Sequence, residues 1–132
     1  MKVFIDNCLA PRLAGALSKL SAPDHEVVHL REKFAADTAD DVWIPALAKE
    51  GGWVIVSGDP RIARNPQLRA VWTHAKLTTF FLGKGWMKQK FWDQAWRLVR
   101  CWPRVLEQSA LVVPGAGFEI PAQPHGKFRQ LR

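Results

Sequence analysis

Cysteine is nearly missing from this chain: Cys8 and Cys101 stand alone and far apart in 132 residues, with no CxxC pair. That spacing excludes a disulfide scaffold and a thiolate zinc framework. No secretory leader precedes the first apolar segment, and no apolar run approaches the roughly 20 residues of a membrane span. A cytoplasmic protein without membrane contact is therefore expected. Two common catalytic devices are also lacking, since there is no Ser/His/Asp constellation and no glycine-rich phosphate loop. The histidines do not replace them. His25 and His29 are four apart on a predicted strand, where that spacing is about 13 Å, and His74 and His125 are isolated. Acidic residues are in the minority, 12 against 19 Lys and Arg, for a formal net charge of +7. A basic excess suits a polyanionic partner, nucleic acid first and an acidic protein second.

The few acids are placed with a pattern. Lys2-Val3-Phe4-Ile5-Asp6 and Val54-Ile55-Val56-Ser57-Gly58-Asp59 are apolar runs that end in a carboxylate, and Asp40-Asp41 opens the helical stretch Val42-Trp43-Ile44. An apolar run ending this way reads as a buried parallel strand whose C-terminal end opens onto a site. Carboxylates gathered there repel one another, and a divalent cation removes that repulsion. Mg²⁺ or Mn²⁺ suits an all-oxygen site and activates water for phosphodiester hydrolysis.

Strand signals fall at residues 2–6, 26–30, 53–57, 78–82 and 111–113. Helical periodicity fills 9–20 behind Pro11, 40–50 up to the Gly51-Gly52 pair, about 67–75, and 87–107, where Pro103 is expected to kink or end the helix. Residues 31–38 read as a loop or a single turn. Alternation of this kind predicts an α/β fold, a three-layer α/β/α sandwich around a mainly parallel five-stranded sheet. A length of 132 residues with 48% hydrophobic content supports one domain. It is assigned to residues 1–113, with a Pro/Gly-rich basic tail over 114–132 that holds a short edge hairpin around Phe118-Glu119-Ile120 and Lys127-Phe128-Arg129. Most of the seven tryptophans are expected in the core, with Trp43, Trp86 and Trp92 as candidate anchors for a partner.

Val3-Phe4-Ile5-Asp6-Asn7-Cys8-Leu9, the helix opening at Asp41-Val42-Trp43-Ile44 and the strand end Val56-Ser57-Gly58-Asp59 together resemble the PIN-like nucleases. The nearest likeness is to the small bacterial PIN-like toxins of toxin–antitoxin pairs. The resemblance implies a magnesium- or manganese-dependent ribonuclease with Asp6, Asp41 and Asp59 as catalytic metal ligands, acting on RNA and silenced by a cognate antitoxin protein. The chain departs from the pattern at Arg61, where many relatives carry an acid, and at Cys8, where an amide is common. The fourth carboxylate typical of full PIN domains is not evident after Asp59, since Asp93 falls inside the long helix, which favours a single ion.

Each assignment has a plainer alternative. Asp40 and Asp41 both compete for the helix N-cap; the expected division gives the cap to Asp40 and turns Asp41 into the site. Asn7 and Ser57 are expected to orient carboxylates or a bound water, or else to satisfy local backbone groups. Arg61, Arg64 and Arg69 follow Asp59 closely enough to clamp RNA phosphates. The stripe Lys90, Arg97, Arg100 and Arg104, by contrast, reads first as a solvated helix face, and Lys127, Arg129 and Arg132 as a basic end. A catalytically weak RNA- or protein-binding module is the alternative function, and a homodimer is left open. A receiver-like signalling domain is disfavoured, because Val112-Val113-Pro114-Gly115 stands where its lysine would be.

Overall fold

Strands that are apolar on both sides must be covered on both sides. In the computed structural model, which describes residues 1–123 and 125–131 and only the backbone of Pro60, this requirement builds the molecule. Arg132 of the basic end lies outside the described residues. Six strands form one sheet in the order β2-β1-β3-β4-β5-β6. They are β1 (Lys2–Ile5), β2 (Glu26–His29), β3 (Trp53–Ser57), β4 (Thr78–Leu82), β5 (Gly117–Ile120) and β6 (Arg129–Leu131). The first five are parallel; β6 runs antiparallel to β5.

Period-two alternation divides the core in two. Val3, Ile5, Val54, Val56, Phe80 and Phe118 face one helical layer, built from α1 (Pro11–Ser21) and α6 (Phe91–Leu111). Phe4, Ile55 and Phe81 face the other, built from α3 (Asp40–Glu50) and α5 (Pro66–His74). Phe4 stacks on Trp43 of α3 at 4.9 Å. Burying one such aromatic stabilises the fold by about 2–3 kcal/mol. The sandwich is therefore the expected one, with short α2 (Leu30–Lys33), α4 (Pro60–Arg64) and a 3-10 turn (Trp86–Lys88) as additions.

The fifth strand does not lie at the apolar run 111–113. Leu111 ends α6, and Leu111 and Val113 are exposed. Gly115, with φ +102°, then turns the chain past the end of α5, where a Cβ would stand 3.0 Å from the Thr73 carbonyl oxygen. Gly117–Ile120 becomes β5, with Phe118 stacked on Phe80 at 5.3 Å, and Arg129–Leu131 closes the sheet as a sixth strand. Pro103 does not end α6 either. Its side is exposed, so solvent can reach the carbonyl four residues back that proline leaves without a donor.

Five tryptophans are buried, Trp43 and Trp86 among them, while Trp92 and Trp96 are 76% and 46% exposed. Trp43 and Trp86 are thus core residues rather than partner anchors. Among the described residues, no helix is long and apolar enough to cross a membrane.

Candidate active site

Sheet order places β2 on one side of β1 and β3 on the other, so the chain reverses its winding between β1 and β3. Ligands of open parallel sheets bind at such a switch point, outside the strand C-termini. A cavity of about 780 Å³ opens there, lined by Asp6, Asn7, Cys8, Asp40, Asp59 and Arg61 among others.

Asp6 directly follows β1, its N–H still bonded to the Val56 carbonyl at 2.9 Å. Its carboxylate accepts the Asn7 N–H and the Ser57 hydroxyl, each at 2.6 Å. Burial raises the Asp6 pKa above the usual carboxylate value; the Ser57 and Asn7 bonds oppose the rise, and the Asp40 and Asp59 charges add to it. Ser57 ends β3 fully buried, and its oxygen also accepts the Asp59 N–H at 3.1 Å. One hydroxyl therefore fixes two of the acids relative to each other.

Asp59 caps α4 through the Arg61 N–H at 2.9 Å. The Arg61 guanidinium also closes on it, Nη2 to Oδ2 at 2.8 Å and Nε to Oδ1 at 3.0 Å. These bonds hold the Asp59 pKa below the ordinary value against a desolvation that would raise it.

The adjacent pair at the start of α3 is the reverse of the expectation. Ala39 is the N-cap and no side chain caps the helix. Asp40 lines the cavity, held by the Trp43 indole N–H at 3.1 Å. Asp41 is exposed and outside the lining. Partial burial, then the Asp59 charge, raises the Asp40 pKa. The signal lies in the spacing: Trp43, Ile44 and Leu47 form the buried stripe of α3, and one turn back on that stripe is residue 40, not 41.

Asn7 ties down the opposite wall, donating to the Ala36 carbonyl at 2.9 Å and accepting Arg31 Nε at 2.8 Å. Cys8 is exposed as a residue, yet its sulfur is turned to the wall and accepts the Gly58 N–H at 3.0 Å. Desolvation, then the Asp6 charge, pushes its thiol up to about 12. His29 is buried and fully used: Nε2 meets the Leu9 carbonyl at 2.7 Å and Nδ1 accepts the Arg31 N–H at 3.1 Å. The three expected RNA-binding arginines are separated. Arg61 lies at the carboxylates, whereas Arg64 and Arg69 line a second cavity with Lys84 and Arg129, residues remote from them in sequence.

Asp6, Asp40 and Asp59 offer oxygen donors alone, the chemistry a hard divalent cation takes. As arranged, no three acidic, histidine or cysteine side chains among the described residues are drawn together closely enough to hold a metal ion. Arg61 supplies the positive charge at Asp59 instead. The donor set fits such a cation in kind, with Arg61 as its competitor.

The family described as "PIN like domain" matches residues 1–84, a stretch that contains all three carboxylates and Arg61. No curated protein and no solved structure matches the chain significantly.

Proposed function

The chain belongs to the PIN-like domain family, and from that premise we propose that it is a metal-dependent endoribonuclease, the toxin of a toxin–antitoxin pair. The observation that carries the reading is the meeting of Asp6, Asp40 and Asp59 on one cavity at the β1/β3 switch point. Asp40 takes the place that the family resemblance gives to Asp41. Mg²⁺ or Mn²⁺, held by these carboxylates, would supply the Lewis acidity that makes water a nucleophile at neutral pH.

The remaining work falls to the chain's own groups. Ser57 and Asn7 hold the Asp6 oxygens in place, and Trp43 holds Asp40. Arg61, 86% exposed in its side chain, swings from Asp59 to the scissile phosphate and neutralises the charge that grows on its oxygens. An antitoxin would cover the cavity and the exposed Trp92.

Labelled RNA incubated with purified protein, with EDTA or with Mn²⁺, tests the proposal. Cleavage should need the metal, vanish in Asp40→Asn and persist in Asp41→Asn. Cleavage lost in Asp41→Asn but kept in Asp40→Asn would overturn the site. The second reading, a binding module without catalysis, is favoured by the Arg61 clamp on Asp59 and predicts RNA binding with no cleavage in either metal.

A further inference from the structure

The second cavity, of about 670 Å³, is bounded by Ala63, Arg64 and Arg69 on one side and by Lys84, Glu119 and Arg129 on the other. Among the described residues, four cations and one carboxylate therefore converge from α4, α5, the end of β4 and the terminal hairpin. Glu119 is paired with Arg129 at 3.0 Å. Among the described residues, Arg64, Arg69 and Lys84 enter no salt bridge. Like charges left facing one groove repel, an arrangement that costs stability unless an anion enters.

Position links this groove to the carboxylates. Gly58 and Asp59 leave β3 at the first cavity, while Leu82, Gly83 and Lys84 leave the neighbouring β4 at the second. Adjacent strands lie about 4.8 Å apart, so both cavities open on one edge of the sheet. Helix α4 is the ridge between them, presenting Arg61 to one and Arg64 to the other. A polyanionic strand laid along this edge meets both.

We propose that the groove lined by Arg64, Arg69, Lys84 and Arg129 holds the sugar–phosphate backbone of the same RNA strand whose phosphodiester is cut beside Asp6, Asp40 and Asp59. This rests on the nuclease reading and extends it to substrate length. Guanidinium groups match phosphate oxygens in bidentate fashion. The apolar floor offers no face for bases, since Phe81 and Leu82 are 4% and 7% exposed. Grip here is by charge and independent of base identity.

The test measures binding of a fluorescein-labelled oligouridylate to the full chain in EDTA, and cleavage of the dinucleotide UpU with Mn²⁺. Lys84→Gln with Arg129→Gln should weaken oligouridylate binding about tenfold at low salt, and lower the salt slope by about 0.7 for each phosphate no longer neutralised. UpU, too short to reach the groove, should be cleaved as by wild type. Glu119→Gln should tighten oligouridylate binding, because it removes the only acid among the described residues of the groove lining and frees Arg129, an effect a purely structural role would not produce. Melting curves check that each variant is folded, and Lys84→Gln alone leaves the hairpin pair intact. Unchanged oligouridylate affinity in the folded double variant would overturn the proposal, as would loss of polyglutamate binding in its place. If wild type cleaves nothing but the double variant still loses RNA affinity, the nuclease reading fails and the groove stands.

Discussion

Arg61 holds Asp59 by both its backbone N–H and its guanidinium, two residues along the chain, so the acid that would meet a cation already has a positive partner from its own helix. Ion and guanidinium therefore compete for the same oxygens. Arg61→Gln should bind Mn²⁺ a few-fold more tightly by calorimetric titration, yet cleave RNA more slowly because the phosphate loses its clamp. Unchanged Mn²⁺ affinity would show that Asp59 is not a ligand.

Asp6 and Asp59 should respond in opposite directions to neutralisation. Asp6 has its pKa raised in the folded state, mainly by burial, so its ionisation opposes folding: the stability it contributes is full below the ordinary carboxylate pKa and is lost as pH rises through the raised value. Asp6→Asn should accordingly raise the urea midpoint of the metal-free protein at pH 7, with the gain vanishing near about pH 3.5–4. Asp59, lowered by Arg61, contributes stability above its ordinary pKa that is lost as pH falls through the lowered one. Asp59→Asn should leave the midpoint lower at pH 7. Both variants should lose at least about 100-fold in cleavage.

Ser57→Ala removes the hydroxyl that donates to Asp6 and accepts from Asp59. A buried carboxylate and an N–H are left short of a partner, at a cost of about 1–3 kcal/mol. Urea denaturation at neutral pH reads that loss, and Ser57→Thr, which keeps the hydroxyl, should recover part of it.

Asn7→Ala should hardly move global stability, since its bonds are surface ones worth about 1 kcal/mol or less. Hydrogen exchange over residues 34–39 should quicken as the wall comes loose. Cleavage should fall about 10–100-fold.

Trp43→Phe keeps a ring against Phe4 while removing the indole N–H from Asp40. Stability should drop by about 1–2 kcal/mol, and kcat should fall with KM little changed. A KM effect alone would make Trp43 merely a packing residue.

Much of the fold is legible in the residues themselves. Val3-Phe4-Ile5, Val54-Ile55-Val56 and Thr78–Leu82 are short, β-branched or aromatic runs between helical segments and so read as buried parallel strands, and the acids that follow the first two mark the switch point. Leu111-Val112-Val113 misleads because a short apolar run looks alike whether it ends a helix or fills a strand. The alternation Phe118-Glu119-Ile120 is the truer signal. Asp40 and Asp41 sit about 100° apart on a helix, so mistaking one for the other by a single residue exchanges cavity for solvent. Lys84 and Arg129 cannot be joined by spacing, because only the β4-β5-β6 pairing brings them together.

That pairing also joins the family-matched stretch to residues beyond it. Residues 1–84 carry the carboxylates, Arg61 and Lys84, whereas Glu119 and Arg129 arrive on a hairpin beyond the matched stretch. The proposed groove is thus shared between the two stretches, with Arg64, Arg69 and Lys84 inside the matched residues and Glu119 and Arg129 outside them. Changes at Glu119 and Arg129 alone should therefore alter how long a strand is held in that groove, with the carboxylates of the first cavity untouched.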